Sequence, residues 1–71
     1  MTTEQLIQRQ QTLVDDAQAV VERAKALYEA EPTRAHGENL REAESELRFY
    51  QKHLRRLRGK AAIESVVGQT N

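Results

Sequence analysis

The residues best suited to chemistry lie between Arg48 and Lys60, where six of the chain's eleven basic residues fall within thirteen positions that hold no acid. At helical spacing Arg48, Lys52 and Arg55 share one face, and Arg56 and Arg58 extend the run. Such a stripe can neutralise phosphates, with an affinity that falls steeply as salt rises. The plainer reading is a solvated face. Cations toward the end of a helix complement its dipole, as Glu38, Glu42, Glu44 and Glu46 do toward the start. Only Phe49 and Tyr50 are at hand to stack on bases, and Tyr50 belongs to an apolar stripe. Nucleic-acid binding through Arg48, Lys52, Arg55, Arg56 and Arg58 is therefore the second reading of this chain.

The other reactive groups point to less. His36 and His53 lie far apart, no Glu-x-x-His pair occurs, and there is no cysteine. Two histidines alone do not complete a four-ligand zinc site, and a di-iron bundle needs the missing spacing. Glu42 and Glu46 share a helix face as like charges four apart, a solvated pattern rather than an acid–base pair. No catalytic residue, cofactor or metal is expected, nor a small-molecule substrate. A two-helix scaffold encloses no cavity for one. The expectation is a protein that is not an enzyme.

Helical elements must carry these groups. The 71 residues suit one small domain, 1–71, and eleven acids balance eleven bases, so the net field draws in neither nucleic acid nor anionic membrane. No apolar run exceeds three residues, which leaves neither a membrane span nor a signal-peptide core. The chain opens directly on a helix-start pattern, which argues against a cleaved leader. Together with the absence of cysteine, this suggests a cytoplasmic protein.

Thr2 and Gln5 match a capping box, and Met1 can staple against Leu6. The first helix, about 3–30, carries Leu6, Gln10, Leu13, Ala17, Val20, Ala24 and Leu27 at alternating spacings of four and three. Ile7, Val14, Val21 and Tyr28 lie directly beside them. At ~100° per residue the two sets span an arc of roughly 160°, wider than one neighbouring helix needs. Pro32 ends the helix, and residues 31–38 form a turn in which Gly37 can take a positive φ. Asn39 and Glu42 form a second capping pattern that opens a helix over about 39–67; Thr33 offers an earlier start. The second helix repeats the rhythm at Leu40, Ala43, Leu47, Tyr50, Leu54, Leu57 and Ala61. It is expected to pass through Gly59, with a break there as the alternative, and to be capped by Gly68 before a frayed tail at 69–71.

Two matched helices and a short loop predict an all-α antiparallel hairpin. Large-to-small pairing sets Leu27 near Ala43, Ala24 near Leu47, Val20 near Tyr50, Ala17 near Leu54 and Gln10 near Ala61. Asp15, Glu22 and Glu29 would then face Arg55, Arg48 and Arg41, each pair summing to residue number 70. Gln10, the single polar residue within a seam, could fix register or dimer pairing there; the plainer expectation is that, near the open end, it reaches water.

The surplus apolar flank, Leu6, Leu13, Val20 and Leu27 on the first helix and Phe49, His53, Ile63 and Val67 on the second, predicts a partner interface. A second copy would complete a four-helix bundle, and another helical protein could use the same flank. The leading functional expectation is a protein–protein interaction module: a small helical adaptor, chaperone or assembly factor.

Overall fold

The computed structural model describes the backbone of residues 1–69 and the side chains of residues 1–66. It is all-helical: α1, Thr3–Ala30, and α2, Arg34–Gln69, pack antiparallel as a hairpin 59 Å long. The capping box at the start of α1 forms as expected. Thr2 Oγ1 accepts from the Gln5 amide at 3.2 Å, and Gln5 Oε1 accepts from the Thr2 amide at 2.9 Å. The Met1–Leu6 staple is not seen. Met1 stays 73% exposed, its sulfur 3.7 Å from Arg9 Nη1.

The turn is much tighter than residues 31–38. Glu31 is extended (φ −144°, ψ 93°), as a residue before proline should be, and its amide still bonds to the Leu27 carbonyl at 2.9 Å. Thr33, not Asn39, starts the second helix: its Oγ1 accepts the His36 amide at 3.2 Å. His36 Nδ1 lies 2.8 Å from the Glu31 carbonyl, an oxygen that can only accept, so Nδ1 carries the proton. Gly37 is helical, with no positive φ. Its value is close approach: a Cβ there would stand 3.2 Å from the Tyr28 ring. Gly59 is passed without a break, and α2 continues through Gly68 to Gln69, so Gly68 is not the stop that its type suggested. With 28 and 36 residues the helices are not matched, and α2 overhangs the start of α1.

Hairpin register follows from the turn. A chain that folds back at Pro32 sets residues level when their numbers sum to about 64, whereas a turn over 31–38 would give about 69. Tyr28 lies on Gly37 and Thr3 Oγ1 donates to Glu64 Oε2 at 3.0 Å, sums of 65 and 67. The expected sum of 70 is therefore displaced by about one helical turn: Gln10 meets the Tyr50 carbonyl rather than Ala61, while Val20 and Tyr50 still line one groove. The charge ladder does not form: among the described residues the single ion pair within 4.0 Å is Arg34–Glu38, at 3.1 Å.

Of the two rotations open to α1, the hairpin takes the one that turns Ile7, Gln10, Val14, Ala17, Val21 and Ala24 toward α2. The α2 stripe from Leu40 to Ala61 faces it as expected. The resulting core is thin. Among the described residues Val14, Ala17, Ala43 and Leu54 are its buried apolar ones, and no side chain is below 2% exposure. Gln10 does not reach water. It is 7% exposed and donates from Nε2 to the Tyr50 carbonyl at 3.1 Å.

Candidate partner interface

The rotation of α1 leaves a ridge outside the seam. Leu6, Leu13, Val20 and Leu27 recur every seven residues and are exposed by 39%, 43%, 46% and 55%. At 100° per residue this ridge lies roughly 80–90° from the centre of the buried stripe on α1. Phe49 and Ile63, 68% and 67% exposed, lie roughly 130–170° from the centre of the stripe on α2. The helices run in opposite directions, so rotations of the same sign bring the α1 ridge and the outer line of α2 toward one side of the hairpin. The shallow grooves agree. Leu13 and Val20 line one with Ala43, Glu46 and Tyr50, and the edge of the Phe49 ring meets Tyr50 at 6.0 Å between centroids.

One broad face therefore carries the apolar surplus. His53 is exposed on its α2 half and shares a small groove with Phe49, Lys52 and Arg56. Val67 lies among residues whose side chains are outside the described set. Val66, 60% exposed next to it, is an apolar residue that the sequence reading had not assigned to the flank; its position on the overhang beyond α1 accounts for the exposure.

The opposite face is polar. Gln11, Gln51, Arg55 and Arg58 border a cleft over Val14 and Leu54, and Arg58 Nη2 donates to Gln11 Oε1 at 2.8 Å. The five basic candidates are thereby divided. Arg48 and Arg55 belong to this polar side and Arg58 to its cleft, while Lys52 and Arg56 line the groove beside Phe49. All five are exposed.

Tyr50 links core to face. Its hydroxyl donates to Glu46 Oε1 at 2.9 Å; that bond and the carboxylate's charge raise the phenol pKa above its ordinary value. Among the described residues no three histidine or carboxylate side chains gather where a metal could sit, and no helix is long and apolar enough to cross a membrane. The five main pockets among the described residues are open grooves along the helices and at the turn. No family model, curated protein or solved structure matches the chain.

Proposed function

We propose that this protein is a non-enzymatic protein–protein interaction module, a small helical adaptor, chaperone or assembly factor. The observation that carries the reading is the one-sided apolar face. A hairpin whose core holds four buried apolar residues among those described leaves Leu13, Val20, Leu27, Phe49 and Ile63 between 43% and 68% exposed on one side. A protein of this size rarely stabilises itself on so small a core, and contiguous exposed apolar surface marks an association site. Placing Glu at Leu13 and at Phe49 should abolish association while the hairpin's own seam, which uses neither, keeps its helix content. Sedimentation, together with capture of partners from the native cell by the parent and by the double variant, tests this. A well-folded monomer that captures nothing through this face would overturn the proposal.

A second reading rests on a different observation. The acids once expected to neutralise Arg48 and Arg55 make no ion pair with them. Arg48, Lys52 and Arg55 then form an exposed ridge available to the phosphates of RNA. Binding of an RNA stem-loop should weaken steeply with salt and drop when the three are changed to Ala. Salt-independent or absent binding removes this reading.

A further inference from the structure

We infer that the occupant of the apolar face is a second copy of this chain, laid across it on a two-fold axis perpendicular to the helices. In this arrangement α1 packs against the other copy's α1 and α2 against the other α2. This rests on the interaction reading above and narrows it to one partner and one geometry.

An isologous contact requires that if residue i meets residue j, then j meets i. In an antiparallel self-contact the paired residue numbers therefore have a constant sum. The ridge of α1 answers this condition by itself: Leu6 against Leu27 and Leu13 against Val20 both sum to 33, so every ridge residue meets an apolar one. The outer line of α2 answers it too. Phe49 meets Phe49, Glu42 meets Arg56 and Ala35 meets Ile63, each summing to 98. Aromatic meets aromatic, acid meets base, and the overhanging isoleucine meets the alanine just after the turn.

These two matches use different residues, yet both must be served by one axis. The first puts the axis midway between residues 16 and 17 of α1, and the second puts it at Phe49 of α2. For a single axis the two points must be level in the hairpin, which needs a register sum of 65.5. The contacts across the seam, Tyr28 on Gly37, Thr3 to Glu64, Gln10 to Tyr50 and Arg58 to Gln11, give sums of 65, 67, 60 and 69, with a mean of about 65. Nothing in either self-match forces that agreement of the mean, which holds to within two residues, about 3 Å along a helix. With the register of 70 drawn from the sequence the two axes would miss by more than a helical turn.

The alternative two-fold, parallel to the helices, keeps every residue at its own height and sets α1 against the other copy's α2. It brings Arg9 level with Arg56 and sets the apolar ridge of α1 opposite Glu46, His53 and Lys60. Like charge and buried polarity count against it. The face, 59 Å by 15 Å, offers on the order of 800 Å² per copy, the area that specific interfaces bury. Two unfavourable contacts remain in the favoured arrangement: Asp16 of each copy approaches the other at the rim near the axis, and on the same line Arg9 of each lies level with Arg23 of the other, both sums being 32.

Charge reversal on the full chain tests the geometry. Glu42→Arg alone and Arg56→Glu alone should each weaken self-association by roughly tenfold or more, and the double reversal should restore it. Asp16→Asn should strengthen it. The chain has no cysteine, so Phe49→Cys should give a disulfide-linked pair under mild oxidation, whereas Arg41→Cys, on the polar side, should not. A dimer indifferent to the reversals, with no Phe49→Cys pair, overturns this arrangement and leaves the interaction reading standing. A monomer that still binds another protein through Leu13 and Phe49 overturns the second copy alone. A monomer that binds nothing through the face overturns both.

Discussion

Gln10 offers a sharp test of the register, because the two registers place it in different surroundings. In the hairpin it is buried at the seam, 3.1 Å from the Tyr50 carbonyl; one turn away it would sit by Ala61 near the open end and reach water. Gln10→Ala removes a hydrogen bond with a net contribution of ~1 kcal/mol. It also removes one buried methylene, worth ~0.8 kcal/mol, and regains ~0.3 kcal/mol of helix propensity. The net cost is about 1.5 kcal/mol, or a fall in Tm of roughly 6–12 °C for a domain this small. Tyr50's carbonyl keeps its bond within α2, so Gln10→Leu strands no acceptor and fills the volume. That variant should come within ~1 kcal/mol of the parent or exceed it. Thermal and denaturant melts followed by circular dichroism, at one fixed protein concentration because association contributes to stability, measure both. If Gln10→Ala is neutral within a few tenths of a kcal/mol, Gln10 is in water and the register is wrong.

The remaining predictions concern the turn and Tyr50. Thr33→Ala should cost about 1 kcal/mol by removing the cap of α2, while Asn39→Ala, inside the helix, should cost almost nothing; the reverse order in melts would restore the wider turn. Tyr50's pKa is raised by Glu46, so whatever its hydroxyl contributes is fully present below the ordinary phenol pKa and lost as pH rises through the higher folded value. Ultraviolet titration of Tyr50 in a Tyr28→Phe background should show the upward shift and lose it in Glu46→Gln. An unshifted titration in the first variant would mean that the bond to Glu46 does not form.

The hairpin, the capping box at Thr2 and the whole α2 stripe were legible in the sequence because each rests on local spacing. The start of α2 was not. Thr33 and Asn39 both head acceptable capping patterns, and the choice between them is tertiary: Tyr28 packs against the helical Gly37, and the Glu31 carbonyl accepts a hydrogen bond from His36 Nδ1–H. Gly37 read as a turn glycine because its type cannot distinguish a positive φ from a close approach. Once the turn moved, register moved with it, and Asp15, Glu22 and Glu29 lost the arginines they had been matched to. Their seven-residue spacing was a regularity of each helix alone. The rotation of α1 was equally hidden, since either side of a 160° arc can face one neighbour. Leu6, Leu13, Val20, Leu27, Phe49 and Ile63 are exposed in the hairpin. What the sequence could not show is that both sets share one side, because that depends on how the helices meet.

That one-sided face is the centre of the account, and sedimentation equilibrium of the unmodified chain tests it most directly. The account predicts a reversible dimer at micromolar concentration that dissociates when Phe49 and Leu13 are both changed to Glu. A fully helical, stable monomer across the whole accessible concentration range would contradict it.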